Sequence, residues 1–389
     1  MTIYHSRGRL VKYLDPSLPS SEELLKHGVT VVQVCTPDKA QELVSSVWDM
    51  LESLGTGIDR NNPTTWHTKN WPQDTHSLLQ NQNMGLRICT CLARLQCVDT
   101  FKWLFGGEKV NSSADAISVA KPDKQARAYK TAVRLNAKFN EGDTLVSPWL
   151  HMDQSNFKKD CALFFQGAFA LTDLTEKEQR TQFIIPKRDS EETIQMFRDR
   201  FLTEFPPEDE LGTKNVSDAE REEWISLAIK DAGKVDPLVL KKRKWLIENG
   251  EVYTPTLKAG QMVIWDSGVP HASIPGPCNE PDEHRNIRMS TFVCMVPAKL
   301  VTNEERKVRD SMLDKAQTSG HRFTEFGKSG KVRKCGFNET GRTYGAPIPE
   351  FSKETVVFAS KRKLEETGDS ERPDSLANKT QRLCAGEGM

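Results

Sequence analysis

Residues 149–155 read WLHMDQS and place His151 and Asp153 two positions apart. Side chains alternate with period two along a strand, so these two would leave one face together while Met152 turns away. A neutral imidazole and a carboxylate suit a borderline divalent ion, and one more histidine would complete the two-histidine, one-carboxylate facial set of non-haem iron sites. The chain has eight histidines, and His271 has the most suggestive surroundings. In AGQMVIWDSGVPHAS a glycine-led turn feeds a β-run that breaks at Ser267-Gly268 and delivers His271 just past a proline.

The next run, RNIRMSTFVCMVP, carries Arg285, Arg288 and Ser290. An arginine fork pairs bidentately with a carboxylate and stays charged when partly buried, so it would anchor a dicarboxylate cosubstrate. An HxD pair alone is weak evidence for a metal. The full order is far more specific: HxD, a long interval, an isolated histidine after a β-run, then Arg-x-Ser on a following strand.

Several elements must position these residues. Val29–Val34 is a β-branched run, and the apolar residues that follow, Ala40, Leu43, Val44, Val47, Trp48, Leu51 and Leu54, recur at helical spacing. Thr36 can cap that helix, Pro37 fits its first turn and Gly55 can end it. KTAVRLNAKF, CALFFQGAFALTDL and TQFIIPKR read as strands between residues 130 and 190, and LKAGQMVIWDSG and IRMSTFVCMVP form a second β block. Residues 190–250 between them are charged and helical in pattern, with Ser217 and Glu220 as a capping box before Trp224, Leu227 and Ala228. They read as a helical insertion. Beyond residue 350 the chain is polar without apolar periodicity, so 1–350 is expected to fold as one unit and 351–389 to be a disordered tail.

Composition narrows the function class. Lys+Arg and Asp+Glu both number 54, so the net charge is zero and gives no electrostatic footprint for a polyanion. No window reaches the roughly 18 consecutive apolar residues of a membrane span, and the first residues lack the apolar core of a signal peptide. The nine cysteines form no repeating framework, which suits free thiols in a reducing compartment. The expectation is a soluble cytoplasmic protein, with KKRKW (241–245) and SKRK (360–363) as candidate nuclear-import signals.

With these motifs in hand, the chain resembles the phytanoyl-CoA dioxygenase-like branch of the Fe(II)- and 2-oxoglutarate-dependent oxygenases. The resemblance extends over about residues 20–300 and includes QGAFALTDLTEKEQRTQFIIPKRDS, similar to the family's strand–turn–strand passage, and HGVTVVQVCTPDKAQELVSSVWDML, similar to its first strand and helix. It implies a double-stranded β-helix, a cupin-like jelly roll flanked by N-terminal helices. His151, Asp153 and His271 would then be the iron ligands, and an arginine on the late strand would bind the distal carboxylate of 2-oxoglutarate. Arg288 lies seventeen residues after His271, longer than the family commonly shows, and Arg285 at fourteen competes with it. Arg288 is favoured because Ser290, two residues on, shares its strand face. IIPKRDS also departs from the glycine and histidine that often follow the family's proline.

The activity implied is oxidative decarboxylation, with O₂ and 2-oxoglutarate consumed, succinate and CO₂ released and a substrate C–H bond oxidised. Because Asp153 supplies a carboxylate, hydroxylation is favoured over halogenation. A small molecule, such as a lipid thioester or another metabolite, is the expected substrate, with a protein side chain or nucleobase left open. A catalytically inactive jelly-roll binding module is the alternative.

Other motifs carry less. GHRFTEFGKS (320–329) has the wrong glycine spacing for a phosphate loop, and no G-x-S-x-G elbow occurs. Cys89, Cys91 and Cys97 lack a second pair for zinc and read as buried thiols. His67 and His76 could reach the site from a loop, and Trp149 could wall it.

Overall fold

The computed structural model describes residues 13–301 except 68–69, 73–76, 80–87, 114, 116, 140–143, 154–163, 206–224, 230–234 and 277–285, together with 303 and 307. The helices are α1 (Pro19–His27), α2 (Pro37–Ser53), α3 (Ile88–Leu104), α4 (Pro122–Phe139), α5 (Ile194–Glu204) and α6 (Pro237–Asn249). The early strands are β1 (Val29–Gln33), β2 (Leu78–Leu79), β3 (Val110–Ser112), β4 (Ile117–Ala120), β5 (His151–Met152) and β6 (Phe165–Ala170). The later ones are β7 (Arg180–Pro186), β8 (Ile225–Ser226), β9 (Gly250–Tyr253), β10 (Gln261–Asp266), β11 (His271–Ile274) and β12 (Arg288–Pro297).

Two antiparallel sheets result. The larger runs β1-β10-β6-β12-β4-β2 with β3 also on β12, and the smaller runs β8-β5-β11-β7-β9. From β4 onward the chain switches sheets at almost every strand: β4, β6, β10 and β12 enter the larger, β5, β7, β9 and β11 the smaller. This winding is the double-stranded β-helix form of the jelly roll.

Period two sorts the side chains of the larger sheet. Met262 and Ile264 of β10, Phe169 of β6 and Met289 and Val293 of β12 join a core outside the barrel. That core is closed by Val47 and Leu51 of α2 and Cys97 and Phe101 of α3. The other face, with Val263, Trp265, Ala168 and Ala170, meets Met152, Phe183 and Ala272 of the smaller sheet between the two layers. Fully burying each of these larger apolar side chains contributes about 1.5–3 kcal/mol. Helix α2 forms as its sequence predicts, with Pro37 at its start, the Thr36 hydroxyl accepting from the Lys39 amide, and Gly55 at φ +67° just past its end.

Two expectations change. KTAVRLNAKF is the second half of α4, not a strand. Val133, Leu135, Ala137 and Phe139 do alternate, but Pro122 and Asp123 start a helix whose buried side is Gln125, Ala126, Ala132 and Leu135, while Val133 is exposed. In the 190–250 insertion α5 and α6 are helical, but Ile225–Ser226 is a strand that pairs with β5, and Leu227 and Ala228 continue from it in extended chain. Pairing with a sheet edge overrides the local helical pattern there. Ser217, Glu220 and Trp224 lie outside the described residues, as do residues 320–329 and the 351–389 tail with its SKRK run.

The run at 241–245 is no free basic patch, since Lys242 and Arg243 are buried in α6. Cys89 and Cys97 are buried and Cys91 is half-buried, all without disulfides. Among the described residues no helix is long and apolar enough to cross a membrane.

Candidate metal centre

β5 is only two residues long, and Asp153 lies one residue beyond it. Its position is set by hydrogen bonds on both flanks. The Ser147 amide donates to Gln182 Oε1 (2.8 Å), and the Ser147 hydroxyl donates to the Ser273 carbonyl (2.8 Å). The buried Arg243 guanidinium donates to the carbonyls of Ser147 and Leu227. The amides of Leu227 and Ile229 bond back to Leu150 and Pro148, and the Asp153 amide to the Ser267 carbonyl. In this frame His151 pairs in register with His271 of β11, which in turn pairs with Phe183 of β7.

The three predicted ligands converge. One ligand atom each from His151, Asp153 and His271 lies within 4.8 Å of the others. His151 Nε2 is 3.6 Å from Asp153 Oδ1, and His271 Nε2 is 3.2 Å from Asp153 Oδ2. On each ring the other nitrogen is already committed: Nδ1 of His151 is 2.8 Å from the Trp149 carbonyl, and Nδ1 of His271 is 2.8 Å from the Val269 carbonyl. A carbonyl only accepts, so both Nδ1 atoms carry a proton, and in the neutral tautomer this leaves each Nε2 with a lone pair on the carboxylate side. Nδ1–H tied to a backbone carbonyl, with Nε2 left for a cation, is the tautomer pattern that metal-binding histidines adopt.

Asp153 and His271 are buried, whereas the His151 side chain keeps 27% of its surface exposed, so the centre opens on the His151 side. Trp265 and Phe183 wall the buried side, their rings 5.2 and 6.3 Å from that of His271. Cys294 on β12 is not a competing thiolate, because burial, with the carboxylates of Asp115 and Asp153, pushes its pKa up.

Arg288 and Ser290 occupy the inner face of β12, in register with Ala120 and Ser118 of β4. Both are buried. The Arg288 guanidinium lies 6.0 Å from the Phe292 ring, so its arm runs along the strand. Nη1 donates to the Ser118 hydroxyl (2.5 Å), but among the described residues Nε, Nη2 and the Ser290 hydroxyl have no hydrogen-bond partner. Beside them β6 offers only the small Ala168 and Ala170, in register with Phe292 and Ser290. Burial pushes the Arg288 pKa down to about 10, which leaves it charged at neutral pH. A buried cation with two free N–H edges, a free hydroxyl and small neighbours fits a carboxylate.

Arg285 and His76 lie outside the described residues, and His67 is exposed. Trp149 is 41% exposed and precedes the strand, so period two does not assign its side, although its carbonyl orients His151. Ser118 and Gln166 were not singled out by sequence. Each is a polar residue within a short apolar strand, ISVA and FQGAFA, and that interruption is the signal that could have found them.

No family model matches the chain, and no curated protein matches it. Among solved structures it is similar to the non-heme alpha ketoglutarate dependent carbocyclase SnoK from nogalamycin biosynthesis, at 11% identity, with 74% of this chain and 86% of that one covered and a TM-score of 0.37. It is also similar to AviO1 from Streptomyces viridochromogenes Tue57, at 10% identity over 73% of this chain and 96% of that one, TM-score 0.37. A third is EctD from S. alaskensis with 2-oxoglutarate and 5-hydroxyectoine, at 12% identity over 70% and 73%, TM-score 0.35. Likenesses of this size leave the fold to be read from strand order and the chemistry from the side chains.

Proposed function

We propose that the chain is an Fe(II)- and 2-oxoglutarate-dependent dioxygenase that oxidises a C–H bond of a small-molecule substrate, with succinate and CO₂ as coproducts. The convergence of two imidazoles and a carboxylate, with both Nδ1 atoms tied to backbone carbonyls, carries this reading. His151, Asp153 and His271 hold the iron, and Arg288 with Ser290 anchors the distal carboxylate of 2-oxoglutarate. The bound iron supplies the positions at which cosubstrate and O₂ are activated. Trp265 and Phe183 keep water from the buried side, and the opening at His151 is where substrate enters. The phytanoyl-CoA dioxygenase-like affiliation belongs to this proposal and rests on the sequence stretches that resemble that family.

Protein purified without oxygen and given Fe(II) and 2-oxoglutarate is expected to form succinate when O₂ is admitted, through uncoupled turnover. His151→Ala, Asp153→Ala and His271→Ala are each expected to abolish it. Wild type that neither forms succinate nor binds 2-oxoglutarate in an Fe(II)-dependent way would overturn the proposal in favour of a binding module.

A further inference from the structure

Asp153 is the one carboxylate in the triad, with Oδ1 3.6 Å from His151 Nε2 and Oδ2 3.2 Å from His271 Nε2, so the orientation of its plane sets what both histidines meet. The side-chain amide of Gln166 donates to Asp153 Oδ2 at 2.9 Å, with both residues buried. Gln166 belongs to β6, in the opposite sheet from His151 and His271. Its neighbours leave it little freedom: it pairs in register with Trp265 of β10 on one side and Cys294 of β12 on the other. The Trp265 ring is also the one packed against His271. The Asp153 backbone is fixed separately, through its amide to Ser267.

We infer that Gln166 is a positioning residue for the metal centre: its amide donates to Oδ2 and fixes the plane of the Asp153 carboxylate against the two Nε2 atoms that face it. This rests on the iron-site reading above and deepens it. Loss of that donor removes one restraint on the last torsion of the carboxylate, whose orientation decides how it meets a metal.

The test is Co(II) binding by calorimetry and visible absorption, without turnover, in wild type, Gln166→Met, which keeps the volume without the donor, and Gln166→Asn, which keeps the amide on a shorter arm. Melting temperatures check that each variant is folded. Wild type is expected to bind one Co(II), and Gln166→Met to bind about 10- to 100-fold more weakly with an altered Co(II) spectrum. With Fe(II), the variant's KM for 2-oxoglutarate is expected to rise no more than its metal requirement, because Arg288 is untouched. If Gln166→Met does not fold, Gln166→Asn decides, with weakened Co(II) binding expected. Wild-type affinity and spectrum in a folded variant would overturn the role of Gln166 while leaving the metal site standing. Absence of Co(II) binding in wild type would instead overturn the metal site, and this role with it.

Discussion

Arg288 brings a guanidinium into a face of alanines and hydroxyls, where among the described residues the Ser118 hydroxyl is its one hydrogen-bond partner. Burial lowers its pKa to about 10, which disfavours the charged form in the folded chain. The unfolded chain holds this proton up to a higher pH than the folded one, so the penalty is constant below about pH 10 and recedes only above it. On the proposed reading, this charge is kept for the distal carboxylate of 2-oxoglutarate. Arg288→Met is therefore expected to stabilise the ligand-free protein by about 1–4 kcal/mol, or several degrees in melting temperature, and to eliminate 2-oxoglutarate binding. A lower melting temperature would mean that the charge is compensated within the protein, and the anchoring role would lose its support. Arg288→Lys keeps the charge without the fork, and is expected to raise the KM for 2-oxoglutarate about tenfold or more in the succinate assay.

At the scale of elements, a two-residue strand cannot hold itself, and β5 borrows its rigidity from α6, β7 and β11. Arg243→Leu would leave the carbonyls of Ser147 and Leu227 without their buried donor, at a cost of about 2–4 kcal/mol. Denaturant unfolding should show that loss, and Co(II) affinity should fall with it, since the segment leading to His151 loosens. A second element-level constraint is the turn into β10. Gly260 sits at φ +92°, and a Cβ there would come within 2.3 Å of the Cys35 carbonyl oxygen. Its carbonyl accepts from the Val34 and Cys35 amides, and its own amide donates to Ala170, so it ties β1, β10 and β6 together. Gly260→Ala combines a left-handed backbone with a clash against main chain, and is expected to cost about 2–4 kcal/mol in the same measurement.

For the whole molecule, the metal would join segments brought together only by the fold. His151 begins β5 and Asp153 follows it, His271 begins β11, and Asp153 also reaches the larger sheet through Gln166. A ligand that binds only the folded state stabilises it by mass action, about 2.7 kcal/mol at one hundred times its Kd. Saturating Co(II) is expected to raise the melting temperature by about 5 °C or more, reversibly with chelator, and to leave Asp153→Ala unmoved. Addition of 2-oxoglutarate should raise it further in wild type and not in Arg288→Met.

The sequence by itself determined what is local. Helix α2 followed from spacing, a cap and a proline, the long β-runs from their composition, and the order HxD, His, Arg-x-Ser from residue type and position. Local pattern was not enough where competing patterns overlap: residues 131–139 alternate yet are helical because Pro122 starts the helix upstream and its Ala132–Leu135 side is buried, and 225–226 become a strand because a sheet edge is there to pair with. The tertiary structure alone decided that Gln166 meets Asp153 and that Ser118, 170 residues away in the chain, meets Arg288. It also decided which arginine atoms are left without partners. Those facts depend on sheet register and on which faces meet when the chain winds between two sheets, and periodicity along a chain carries no information about either.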